Sequence, residues 1–263
     1  MVTCYPSAGK RKARKLCHAF AAGCAGRVAA VGEPRLHPGP AFFYGMTGHG
    51  LPLIEQCRRE ERDWYYADNA YYFGRGTHFR VTRNALMHDG SGRAGPARFE
   101  RFGLEIKPWR RDGRHVVLAT QSELFYRLHL GVERRVWTDV ACSDIRRHTD
   151  RTIIVCDKPP PPWPGGHPHP NFETALRDAW AVVSHSSSVM VKALLEGVPV
   201  FSLGPSMASR MASADVSSIE EPLYPNEREP WLWNLAANQW TRAEMRDGTC
   251  WRDLRRQREA DAS

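Results

Sequence analysis

The stretch that most constrains this chain is AVVSHSSSVMVKALLEGVPVF, residues 181–201. Ala181, Val182 and Val183 read as a strand, and Val198 to Phe201 as another. Between them Val189, Met190, Ala193 and Leu194 share one helical face, and Gly197 stands where a left-handed residue ends a helix. Strand, polar turn, helix and strand together make a parallel-sheet unit, since parallel strands need a crossover. The turn then lies at a strand's carboxyl end, where free N–H groups suit an anion. His185, Ser186, Ser187 and Ser188 fill that turn. One serine is enough to cap a helix. The run is therefore either a redundant cap beside a packed histidine or a cradle for phosphate.

Further strands are expected near residues 41, 116 and 152, each followed by a loop and usually a helix. Ser122 opens the helix after the second of these, and Thr241-x-x-Glu244 is a capping box for a later one. The prolines of DKPPPPWPGGHPHP exclude helix and central strand there. The pattern predicts an α/β protein with at least one doubly wound parallel sheet. The boundary is placed at about 145, giving an N-terminal half (1–145) and a C-terminal half with terminal helices (146–263). The aromatic block DWYYADNAYYFGRG, from Asp63, either fills a core or lines a groove.

At 263 residues the chain can bury a substantial core. Mean hydropathy is −0.52 and no apolar run approaches the roughly 20 residues that cross a bilayer. With no apolar leader after KRKARK, a cytoplasmic protein without a transmembrane segment is expected. Seven scattered cysteines, none in CxxC spacing, fit neither structural zinc nor a disulfide framework. The net charge is +8 and the cations are mostly arginine, which suits phosphate or carboxylate partners. Dense basic clusters occur only at Lys10 to Lys15 and Arg252 to Arg258, read as solvated helices or tails.

Walker A and GxSxG patterns are absent and no GxGxxG directly follows a predicted strand, which argues against P-loop kinases, serine hydrolases and dinucleotide enzymes. His167-x-His169 has metal-like spacing but no evident third ligand, so no metal site is expected. The groups that follow strands in the C-terminal half are Lys158, the His185 to Ser188 turn, and Gly204 to Ser206. They suit a diphosphate or a carboxylated sugar. In the N-terminal half Asp68 is the candidate general base, set among aromatics. Arg75 and Arg80 either hold an acceptor anion or brace the loop.

RTIIVCDK followed by FETALRDAWAVVSHSSSVMVKALLEGVPVFSLG resembles the nucleotide-sugar half of GT-B glycosyltransferases of the capsule polysaccharide synthase and Kdo-transferase-like group. It also resembles related glycosyltransferases of tailed phages, a resemblance that extends to DWYYADNAYYFGRGTHFRVTRNA and WLWNLAANQWTRAEMRDG. The similarity covers roughly residues 40 to 252 and implies a GT-B-like α/β fold of two Rossmann-like halves with doubly wound parallel sheets, the N-terminal half (1–145) on the acceptor side and the C-terminal half (146–263) binding the nucleotide sugar. The resemblance implies that Ser186, Ser187 and Ser188 contact donor phosphates, that His185 lies beside the sugar or phosphate as a second catalytic candidate, and that Arg151 and Lys158 offset diphosphate charge. One departure is Lys192, where the family often has an acid for the donor ribose; Glu196, one turn later, is the substitute candidate.

These readings lead to a metal-independent glycosyltransferase that uses a nucleotide sugar as co-substrate and needs no cofactor. Its acceptor is a glycan or, if the gene is viral, a modified DNA base. The alternative is a non-catalytic nucleic-acid-binding protein on a decayed glycosyltransferase fold, for which the basic balance and Lys192 speak.

Overall fold

The central strands, at residues 41–44, 115–119 and 179–184, read as almost unbroken apolar runs because they are covered on both faces. In the computed structural model, residues 1–45, 50–71, 73–74, 76–158 and 170–261 are described. They form two units, Met1–His88 with Leu235–Ser263, and Asp89–Asn234.

The first unit begins with β1 (Thr3–Tyr5), α1 (Arg11–Gly23), β2 (Arg27–Val28), β3 (Ala41–Tyr44), α2 (Gly50–Arg59), β4 (Trp64–Asn69) and β5 (His78–Arg83). The second contains α3 (Ala97–Glu100), β6 (His115–Ala119), α4 (Glu123–His129), α5 (Arg134–Arg146), β7 (Thr152–Cys156), α6 (Pro170–Ala175), β8 (Ala179–Ser184), α7 (Val189–Leu195), β9 (Val200–Ser202) and β10 (Ala212–Ser213). Helix α8 (Arg228–Ala237) leads back to β11 (Gln239–Thr241), α9 (Arg242–Arg246) and α10 (Thr249–Asp261) in the first unit.

In the first unit the strand order is β11-β5-β4-β3-β1-β2. Strands β2, β1, β3 and β4 are parallel, whereas β5 runs antiparallel to both β4 and β11. Alternation along the strands divides the aromatics between two layers. Phe42 and Tyr65 pack with Leu16, Phe20, Met245 and Leu254 on one face, while Phe43, Trp64 and Tyr66 pack with Leu53, Ile54 and Cys57 on the other. Trp64, Tyr65, Tyr66 and Tyr71 are all buried, so these four members of the aromatic block fill a core.

The second unit has the order β10-β9-β8-β6-β7, with every pairing parallel. One face packs Val116, Leu118, Val183 and Phe201 against Ala141, Cys142 and Ile145 of α5. Helix α7 packs on β8 and β9 at the other. The chain passes between units after His88 and again after Asn234, not once near 145. A cut at 145 would part β6 from its neighbours β7 and β8, and would detach β11 from β5, where Gln239 pairs with Arg80 and Trp240 with Phe79.

The expected caps are present. Ser122 Oγ accepts from the Phe125 N–H, and Thr241 and Glu244 complete a reciprocal capping box. Gly197 has φ +74°, and an added Cβ would lie 1.9 Å from the Pro108 carbonyl oxygen. The segment carrying that oxygen is tied to the end of α7 by Lys107 N–H to Leu195 O (2.9 Å) and Arg110 N–H to Gly197 O (2.7 Å). Gly197→Ala therefore combines backbone strain with overlap and is expected to cost about 2–4 kcal/mol in urea denaturation; a loss below about 0.5 kcal/mol would show that the contact relaxes freely.

Candidate functional site

In the second unit the chain leaves β6 to one side to form β7 and returns to the other side to form β8. The loops after β6 and β8 therefore part at the carboxyl edge, the position where doubly wound sheets bind ligands. The β6 loop brings Thr120 and Gln121, and the β8 loop brings His185 to Ser188. Asp157 and Lys158 follow β7, and Gly204 to Ser206 follow β9.

The polar residues of the turn have separate tasks. Ser184, the last residue of β8, donates its hydroxyl to Ala119 O at 2.6 Å and so joins the two loops. Ser187 Oγ accepts from the Val189 N–H at 3.4 Å and supplies the capping bond, while Ser188 is the N-cap residue itself. Ser202 Oγ lies within hydrogen-bond reach of the carbonyls of His185 (3.2 Å) and Gly204 (2.9 Å), which share its one proton, and of Ser206 Oγ (2.7 Å).

Gln121 completes the arrangement. Its amide oxygen accepts from the Ser186 N–H (2.9 Å), the Ser187 N–H (3.2 Å) and Ser186 Oγ (2.8 Å), and its amide nitrogen donates to the Tyr126 hydroxyl (3.0 Å). Backbone N–H groups can only donate, so the oxygen must face them. Tyr126 is fully buried, and its hydroxyl also accepts from the Gln121 backbone N–H at 3.3 Å. Two successive N–H groups thus converge on one oxygen, the geometry by which backbone holds an anion.

His185 is half-buried, edge-on to Phe125 (ring centroids 5.5 Å) and to Trp137 (6.3 Å), with Nδ1 3.2 Å from Ser186 Oγ. A Cβ added at Gly204 would lie 2.2 Å from the ring, so the glycine makes room for it. Lys158 lies two residues beyond β7 on the same carboxyl side, and its carbonyl accepts from Arg134.

Two expected donor residues lie elsewhere. Arg151 precedes β7, about 16 Å of strand from the carboxyl edge. There it pairs with Glu220 at 3.0 Å, donates to Gly113 O and covers Trp180 at 4.1 Å. Glu196 ends α7, about 10 Å of helix from the turn, and takes ion pairs from Lys107 and Lys192, both at 2.5 Å. Partial burial works against the Glu196 charge, but the two lysines outweigh it and hold the carboxyl below its ordinary range. Lys192 is thereby accounted for as part of an ion pair on α7.

The first unit carries a second polar cluster at the carboxyl ends of β3 and β4. Asp68 Oδ2 accepts from Tyr66 Oη and pairs with Arg80, both at 3.1 Å, while Oδ1 accepts from the Asn69 N–H at 2.7 Å. Asn69 Oδ1 accepts from Lys12 Nζ (2.7 Å) and the Tyr44 hydroxyl (3.2 Å). Burial, opposed by the Asp68 charge, lowers the Lys12 amine from its usual value. Burial, assisted by Asp68, pushes the Tyr44 phenol up. Arg80 lies over the Tyr71 ring at 5.4 Å, and its Nε is buried with no hydrogen-bond partner among the described residues. Arg75 lies outside the described residues, as do His167 and His169.

Among the described residues no three His, Cys, Asp or Glu side chains gather into a group that could hold a metal ion, and no helix is long and apolar enough to cross a membrane. The C-terminal basic cluster is largely neutralised locally, with Arg255, Arg256 and Arg258 paired to Glu259, Asp253 and Asp63.

Gln121, Tyr126, Ser184 and Ser202 were not singled out by sequence reasoning. Gln121 and Ser184 were within reach, because each ends or follows a predicted strand at its carboxyl edge. Burial, assisted by nearby His129, pushes His185 below its usual 6.5. The folded state then resists a proton that the unfolded chain accepts. Stability is expected to fall as pH drops through 6.5, and His185→Gln should flatten that slope in denaturant melts at stepped pH. An unchanged slope would assign the acid sensitivity to other groups.

No family model and no curated protein matches the chain. Among solved structures, a chain described as Thermosulfurimonas dismutans KpsC, beta Kdo 2,4 transferase, superposes with a TM-score of 0.55 at 11% identity, covering 91% of both chains. A second, Thermosulfurimonas dismutans KpsC, beta Kdo 2,7 transferase, gives a TM-score of 0.52 at 12% identity over 89% of both. At such identity the likeness is one of fold: the protein shares the α/β architecture of these chains.

Proposed function

We propose that the protein is a glycosyltransferase whose nucleotide-sugar donor is held by its phosphate in the β6/β8 crevice of the second unit. The observation that carries this reading is the convergence of the Ser186 and Ser187 N–H groups on one oxygen at the switch point. Lys158, on the same edge, adds positive charge. Fixed N–H donors and a lysine can stabilise a departing phosphate without a metal, since they act where negative charge develops. His185, its basicity lowered by burial, meets a ligand mainly as a neutral ring beside Ser186 Oγ.

The first unit supplies the acceptor side of the proposal. Asp68 is the base for an acceptor hydroxyl, oriented by Tyr66 and Arg80 on one oxygen. Arg80 and Lys12 make that cluster a place for an acidic glycan. The names of the two solved neighbours speak of Kdo, so a sugar acid belongs among the donors tested. Neither name speaks for a phage origin or a DNA acceptor, and the acceptor proposed is a glycan.

A thermal-shift screen against UDP-, CMP-, GDP- and dTDP-sugars without added metal should raise Tm for one nucleotide class, by the stabilisation any ligand of the native state brings. No shift with any class, from a protein that melts cooperatively, would remove the reading. Asp68→Asn should retain the donor-induced shift while lowering transfer about 100-fold or more. Transfer near the unmodified rate would take the base assignment away from Asp68.

A further inference from the structure

Gln121 is 8% exposed and reaches from the β6 loop to Ser186, 65 residues further along the sequence. Its amide oxygen receives three hydrogen bonds from the serine turn, and its amide nitrogen is anchored on a buried tyrosine. The turn's convergent N–H groups are therefore already satisfied by a neutral oxygen supplied by the chain itself.

We propose that Gln121 is a stand-in ligand: its amide oxygen keeps the place of a phosphate oxygen in the serine turn, and an anionic ligand enters by displacing it. The proposal rests on the reading of this turn as the donor-phosphate site. Its physical basis is a difference in acceptor strength. Buried N–H groups left without an acceptor are costly, so an empty turn would be unstable. A neutral amide oxygen meets that need, yet hydrogen bonds to an ionised oxygen are roughly twice as strong. A phosphate can thus take the N–H groups from Gln121, whereas water or a sugar hydroxyl gains nothing over it. The residue sets a threshold of ligand charge. Displacement rotates the flexible glutamine side chain away from the turn and gives up the amide's bond to the Tyr126 hydroxyl, while the Gln121 backbone N–H stays bonded to Tyr126. A glutamate at this position would be charged, would hold the N–H groups more firmly and would repel phosphate.

The test is titration calorimetry with inorganic pyrophosphate on the unmodified protein, Gln121→Ala, Gln121→Asn and Gln121→Glu, each first shown to melt cooperatively. Asparagine keeps the amide but is too short to reach the turn, which guards against a packing defect peculiar to alanine. The expected result is binding about threefold to tenfold tighter for the alanine and asparagine variants, and about tenfold or more weaker for the glutamate variant. Alanine and asparagine variants that bind as weakly as the glutamate variant would make Gln121 a strut or a direct ligand and overturn the proposal. Equal affinity in all four proteins would overturn it too, while leaving the phosphate site standing. Saturable binding to none of the four, with no sugar nucleotide binding either, would remove the site and the proposal together.

Discussion

The reversal of strand order about β6 is the constraint on which the rest of the second unit depends. With β7 on one side of β6 and β8 on the other, two connections that would otherwise pack together must diverge at the carboxyl edge. The backbone groups exposed there cannot bond to a neighbouring strand, yet burial demands that they be satisfied. In this chain Ser184 reaches across to Ala119 O and Gln121 reaches the other way to Ser186 and Ser187. The crevice is thus held by polar side chains of short reach, which is why it can also offer polar groups to a ligand.

The same logic separates structural from functional charge. Arg151, Glu196 and Lys192 look, by composition, like parts of an anion site. Each is instead consumed by a local partner: Arg151 by Glu220 and Trp180, and Glu196 by Lys192 and Lys107. Their elements place them away from the carboxyl edge, and no spare charge is left to draw them toward it. In the first unit Tyr44, Asp68 and Asn69 stand at the carboxyl ends of β3 and β4 and are joined by Arg80 from within β5 and Lys12 from α1, a polar cluster set on buried aromatics.

Much of this was legible in the sequence. The run from Ala181 to Phe201 determined a parallel unit because strand, turn and helix patterns follow one another without ambiguity, and Gly197 adopts the expected positive φ. The caps at Ser122 and Thr241 were readable for the same local reason. Less legible was anything that depends on strand order. Strand β11 is only Gln239–Thr241, too short to show a pattern, yet it pairs with β5 and so carries the C-terminus into the first unit. Strand β1, also three residues long, was missed likewise. The role of the aromatic block required both sheet faces, since only pairing shows that Trp64 and Tyr66 point one way and Tyr65 the other. Arg151 was misplaced although its position before Thr152 already put it at the amino end of β7. Gln121 carried no motif at all, and its significance comes only from a turn 65 residues further along.

The central claim is that the Ser186–Ser187 turn receives the phosphate of a nucleotide sugar. It is tested most directly by following the backbone amide resonances of an isotope-labelled sample during titration with the nucleoside phosphate that stabilises the protein. The account predicts large, saturable shifts at the Ser186 and Ser187 amides, with smaller ones around Gln121 and Lys158. Saturable shifts that leave these two amides unmoved and gather instead around Arg151 and Glu220 would contradict it.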